Sequence, residues 1–378
     1  MKLTFQNTCR WLLAGVAMLA FVFFSQSCSK LGDVFHHNDN KDKDPSLKDY
    51  IQTNLVGNNN EYGNPHIDPH LLNAWGLSFS GSGIAWISSN AGHVSTVYDK
   101  DGNMIAARPE VAIPSPNATT GGMPTGTVVN SDTSSKEFLL SNGTPGRFFF
   151  VGLDGVISGW NPAAGNFALR INATMGAVYT GLTMAKNSGG EYHLYAANFK
   201  SGKIETWDKN FNAVNLPFKD PALPSGYAPF NIQVVGGNLY VMYAKVGPNG
   251  DEEHGVGLGY VDVYNPNGVL QNRFASNDKL NAPWGVAWAP DTFFTDDDGK
   301  PTQGILVGNF GDGYINVYNT KGKFIGWLSG PHGKPIQIAG LWALMFPPTT
   351  ATMVDPNRLY FTAGPDDEND GLFGYITK

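Results

Sequence analysis

In the stretch NPHIDPHLLNAWG, His66, Asp68 and His70 occupy every second position. On an extended strand, positions i, i+2 and i+4 share a face, so two imidazoles and a carboxylate would converge. That mixed donor set suits a divalent cation, with Asn231 as a further oxygen ligand. A cation held there would polarise a substrate or activate water, which is the chemistry of a hydrolase or lyase. Pro65 and Pro69 interrupt a regular strand at this point, so the competing reading is a polar loop that happens to carry histidines.

A second chemistry is offered by Trp75, Trp284 and Trp342, which open the apolar runs AWGLSFS, PWGVAWA and GLWALMF. Accessible indoles stack on sugars or grip apolar ligands, whereas buried ones wedge elements together. Asn231 follows Phe230 at the matching place in PFNIQVV and adds a polar group to the same candidate ligand face.

The acidic stretches carry less. In DDENDG, Asp366, Glu368 and Asp370 alternate before Gly371 as in a calcium loop, but the twelfth position is Thr377 rather than a bidentate Glu. It reads as a solvated turn, and GDEEHG (250–255) and TDDDGKP (295–301) read as exposed loop insertions. No G-x-S-x-G, H-E-x-x-H, C-x-x-C or P-loop is present, which favours a binding module over an enzyme. With a net charge of -7 and no basic cluster, nucleic acid is excluded as a partner.

The elements that must position these residues recur. The chain of 378 residues holds 46 Gly and 24 Pro, a composition of many turns and short strands. Trp75, Thr125, Thr180, Phe230, Trp284 and Trp342 each begin an apolar strand, and successive anchors lie 50 to 58 residues apart. After each anchor come two further strands joined by a tight turn rich in Asn, Gly and Asp, as in HLYAANFKSGKIETWDKN and GILVGNFGDGYINVYN. A fourth strand closes most repeats. Six such units of four short antiparallel strands predict an all-β, six-bladed β-propeller. The last unit has only three strands, so the orphan strand YIQTNLVG, from Tyr50, is expected to complete it and close the ring.

The N-terminal residues read as a targeting segment. Lys2 and Arg10 flank an apolar run from Trp11 to Phe24 that is short for a membrane span, and Cys28 follows directly. A Cys in that place resembles a bacterial lipoprotein processing site, although a stricter one would have Leu where Ser25 stands. The expectation is a signal peptide over residues 1–27, lipidation at Cys28, a flexible tether over 28–49 and the propeller over 50–378. The only other cysteine, Cys9, lies in the signal peptide, so no disulfide is expected in the propeller.

The motifs DPHLLNAWGLSFS, APFNIQ, GYVDVYNPNG, APWGVAWAP, LVGNFGDG and DENDGLFGYI occur in this order. Together they resemble a bacterial family of exported, uncharacterised six-bladed propeller proteins, distantly similar to NHL-type propellers. The resemblance spans about residues 50–378 and implies the fold and export; it carries over no activity and no site residue. The expected function is an exported, lipid-anchored binding or scaffold module, held on a bacterial membrane and facing the periplasm or cell surface. Its ligand would be a small molecule, a glycan or a protein. The alternative is a metal-dependent hydrolase or lyase with one divalent cation at the channel mouth.

Overall fold

The computed structural model describes residues 44–130, 132 and 136–378. The expected signal peptide, Cys28 and the tether as far as residue 43 lie outside the described residues. Among the described residues no helix is long and apolar enough to cross a membrane.

Six antiparallel sheets follow one another, as the repeat predicts. Their innermost strands are Ala74–Phe79, Pro124–Val129, Tyr179–Lys186, Tyr227–Val235, Pro283–Trp288 and Leu341–Met345, which define blades 1 to 6. From each of them the sheet continues outward through three more strands in meander order. In blade 6 the outer strand is Ile51–Gly57, paired antiparallel with Leu372–Thr377 from Ile51 opposite Thr377 to Gly57 opposite Leu372. The ring therefore closes between the two ends of the propeller, as expected. His66–Ile67 then adds a short parallel strand outside Ile51–Gly57.

Residues just before the closing strand are docked as well. Ser46 N–H donates to Thr295 O at 2.7 Å, Ser329 N–H donates to Leu47 O at 2.8 Å, and the buried Tyr50 donates its hydroxyl to Phe293 O at 3.0 Å.

The six innermost strands share one irregularity. Each slips register beside its anchor: between Ala74 and Leu77, Pro124 and Thr127, Tyr179 and Gly181, Pro229 and Asn231, Pro283 and Gly285, and Leu341 and Leu344. A bulge breaks the ladder locally and re-aims the extra residue. Here the extra residues include all six sequence anchors. Backbone carbonyls beside the slips are taken up by side chains of other blades. Thr125 Oγ1 donates to Tyr179 O at 2.7 Å, Trp284 Nε1 to Thr180 O at 3.0 Å and Asn231 Nδ2 to Trp284 O at 2.8 Å.

The residue after the anchor is Gly76, Gly126, Gly181 or Gly285 in four blades, for a steric reason. A Cβ on Gly126 would sit 2.3 Å from Leu182 N, and one on Gly76 2.3 Å from Thr125 O. Neighbouring inner strands meet backbone to backbone around the axis. At Gly76 and Gly126 no side chain fits between them.

Candidate functional site at the channel mouth

The bulges send aromatic side chains to the axis, where they fill it. Trp75, Trp284 and Trp342 are 4%, 3% and 0% exposed. Trp342 is the middle ring of a stack, with Trp75 at 3.5 Å on one side and Phe310 at 3.8 Å on the other, both tilted by 20°. Trp284 meets Trp75 edge-on at 6.2 Å, and Phe230 meets Trp342 at 5.8 Å. The structure thus brings the three tryptophans together as a plug. Below it, Trp284 and Asn231 also line a channel cavity of about 310 Å³.

Above the plug, on the face where the inner strands begin, lies a hollow of 570 Å³. Its walls come from connections of blades 4, 5 and 6: His254, Asp312, Asp366, Asp367 and Glu368, with Phe310 beneath them. Phe310 carries the His254 ring edge-on at 5.2 Å.

Glu368 is held from below. Trp342 Nε1 donates to Asn73 Oδ1 at 3.0 Å, which orients the Asn73 amide so that its Nδ2 donates to Glu368 Oε2 at 2.5 Å. Burial raises the pKa of Glu368, and the Asn73 hydrogen bond opposes that rise only in part. His254 is pushed up by its bond to Glu252, with Nε2 and Oε1 3.5 Å apart. Asp312 accepts from Asn281 Nδ2 at 3.1 Å, and Asn281 Oδ1 in turn accepts from Gly255 N–H at 2.7 Å, tying the blade 4 loop to blade 5.

The backbone under Glu368 is unusual. Asp366, Asp367 and Glu368 have φ of 55°, 49° and 66°, a left-handed run without glycine. Each such residue costs about 1–3 kcal/mol and persists only where its surroundings dictate it. Here Glu368 N–H donates to Gly364 O at 3.2 Å and Asp370 N–H to Pro365 O at 3.1 Å. The run aims Glu368 into the hollow and Asp370 away from it. Asp370 instead accepts from Asn58 Nδ2 at 2.6 Å and Tyr62 Oη at 2.5 Å, binding blade 6 to the segment after the closing strand. DDENDG, expected as one solvated turn, splits into a mouth carboxylate and a structural one.

His66 and Asp68 border one hollow beside Gly102 and Asn103, but His70 does not join them. Asp68 is buried, accepting from Tyr98 Oη at 2.7 Å and from His70 N–H at 2.9 Å. The His70 ring turns outward to Glu110, with Nδ1 and Oε2 2.6 Å apart. Asn231, in blade 4, is engaged with the Trp284 carbonyl of blade 5. Among the described residues, no group of three His, Cys, Asp or Glu is placed to hold a metal ion.

Spacing offers Glu368 only as part of a calcium-like turn and His254 only within an exposed loop, and it does not group them with Asp312 and Asn73, because the four lie in connections of four different blades. One signal was available. Asn309-Phe310 repeats Asn198-Phe199, and both phenylalanines end in the axial cluster, where Phe199 meets Phe230 at 5.3 Å.

Fold and axis together define a six-bladed β-propeller with a plugged channel and an acidic mouth. No family model matches the chain. It is 32% identical over 328 residues to Uncharacterized protein R648 of Acanthamoeba polyphaga mimivirus, covering 83% of this chain and 76% of that protein. It is 32% identical over 342 residues to Uncharacterized protein L690 of the same virus, covering 86% and 84%. The chain belongs to the family of these mimivirus proteins. Being viral, they lend no support to the bacterial, exported membership that the motifs imply. Among solved structures, the PQQ-bound aldose sugar dehydrogenase of Streptomyces coelicolor superposes with a TM-score of 0.50 at 13% identity, over 88% of this chain and 99% of that one. That likeness concerns the fold alone.

Proposed function

We propose that the protein is a binding propeller that seats a small organic cation, a protonated amine, in the mouth hollow above Phe310. The observation that carries this is Glu368, half-buried and oriented through Asn73 and Trp342. Asp312, Asp366 and Asp367 share its hollow, and no Lys or Arg lines it. A fixed carboxylate beside an aromatic ring is a seat for an ammonium group. The strained run at Asp366–Glu368 fits a functional role, since its strain serves to aim one side chain.

Calorimetric titration with putrescine and choline, with glucose as the uncharged comparison, tests it. One amine per chain is expected to bind, and Glu368→Gln should weaken it at least about tenfold, the equivalent of about 1.4 kcal/mol. Affinity should fall from pH 8 to pH 5.5. Protonating Glu368, whose pKa is raised, removes a negative charge, and protonating His254, also raised, adds a positive one. Equal binding of glucose, or an amine affinity indifferent to both Glu368→Gln and pH, sinks the reading.

The alternative, a metal-dependent hydrolase or lyase, would need His66, Asp68, His70 and Asn231 to ligate one divalent cation, and the fold does not gather these four. A stoichiometric divalent ion in protein purified without chelator would favour it. We also propose, from Lys2, the apolar run after it and Cys28, that the propeller is exported and anchored to a membrane by lipid at Cys28. Cys28→Ser should then move the protein from the membrane fraction to the soluble exported fraction. Unchanged membrane association with an uncleaved mass would contradict this.

A further inference from the structure

A second hollow, of 730 Å³, lies between blades 1 and 2 at the ends of their inner strands, on the face opposite the acidic mouth. Its walls are apolar and aromatic, chiefly Phe79, Trp86, Val129, Phe148 and Trp160. Trp86 stacks on Phe148 with centroids 4.1 Å apart and rings 17° from parallel, and it meets Trp160 at 4.6 Å. Packing of this kind fixes flat surfaces in place before any ligand arrives.

The charge at this hollow is of one sign. No carboxylate lines it, while Arg108 and Arg147 do. Arg108 lies with its guanidinium 4.6 Å over the Trp160 ring and donates to Gly165 O. Arg147 is different. Its backbone is locked, with N–H donating to Trp160 O at 2.6 Å and O accepting from Asn130 N–H at 2.8 Å. Its side chain is exposed, and no hydrogen bond or ion pair holds its guanidinium among the described residues. An apolar slot with an unengaged guanidinium at its rim matches a molecule with an apolar body and one anionic end. The body gains from leaving water, and the anion takes paired N–H donors.

We propose that this hollow binds a small amphiphilic anion, with its apolar body against Trp86, Phe148 and Trp160 and its carboxylate or sulfonate on Arg147. The site is separate from the mouth and does not depend on the amine reading. The probe is anilinonaphthalene sulfonate, an aromatic anion whose fluorescence rises in apolar surroundings. Phenylnaphthylamine, which lacks the sulfonate, is the neutral comparison. Two variants at exposed positions separate the contributions: Arg147→Ser removes the charge, and Ala107→Trp fills the hollow that Ala107 helps to line.

Wild-type protein should bind one sulfonate probe saturably. Arg147→Ser should weaken it about tenfold or more while leaving phenylnaphthylamine within about twofold. Ala107→Trp should abolish binding of both, with melting curves unchanged in both variants. Absence of saturable binding, or an affinity equal in all three proteins, overturns the proposal. So does equal loss of charged and neutral probes in Arg147→Ser, which would show that the anion is not what is recognised.

Discussion

A chain beginning at Asn58 is expected to lose most of its stability and to self-associate. It lacks Ile51–Gly57, the outer strand of blade 6, together with Tyr50. Tyr50, Leu55 and Val56 are buried, and full burial of an apolar side chain is worth about 1.5–3 kcal/mol, so the three represent about 5–9 kcal/mol. The total stability of a domain is only about 5–15 kcal/mol. The truncation also bares the edge of Leu372–Thr377, whose unpaired N–H and C=O groups can recruit another chain. Thermal melting and gel filtration read both effects. A chain beginning at Asp44 keeps the closing strand and the Ser46 and Leu47 contacts with blade 5, and it should behave as the intact propeller. If the Asn58 chain melts at the same temperature and stays monomeric, the closure contributes far less than its burial implies.

Trp342→Ala is expected to cost about 3–5 kcal/mol, the usual range for emptying a buried Trp site. Trp342 is fully buried between Trp75 and Phe310, so its loss leaves two rings without a partner across a void. It also leaves Asn73 Oδ1 without its donor and lets the amide that orients Glu368 turn. Amine binding at the mouth should therefore weaken along with the melting temperature. Trp342→Phe separates the two effects. It keeps one six-membered ring in the stack and removes the N–H with the rest of the indole, so stability should fall by less than in the Ala variant, about 1–3 kcal/mol, while amine affinity falls as in the Ala variant. A Trp342→Ala protein with wild-type melting would show that the plug does not hold the ring together.

Much of the architecture was legible because it depends on local rules. Alternating strands and Asn-Gly or Asp-Gly turns recur at a near-constant interval, and an unfinished last unit calls for a strand from elsewhere. Trp75, Trp284 and Trp342 were visible as equivalent residues, but equivalence does not say whether an indole faces solvent or its own kind. The bulge at each anchor decides that. It depends on pairing with the second strand and on a neighbouring inner strand close enough to exclude a Cβ at Gly76 or Gly126.

Six blades and their order follow from hydrophobic alternation and turn chemistry within about 50 residues, and the closing role of the strand after Tyr50 follows from the unfinished last unit. Which side chains meet at the axis depends on contacts between blades far apart in the chain. Asn73, His254, Asp312 and Glu368 are spread over nearly three hundred residues, and only closure of the ring sets their connections around one mouth. His70 is parted from Asp68 by contacts within blade 1, because Asp68 takes the Tyr98 hydroxyl while the His70 ring turns outward to Glu110. In a propeller the repeat specifies each sheet, whereas the mouth belongs to the connections. Their conformations are set by long-range hydrogen bonds that no local spacing encodes.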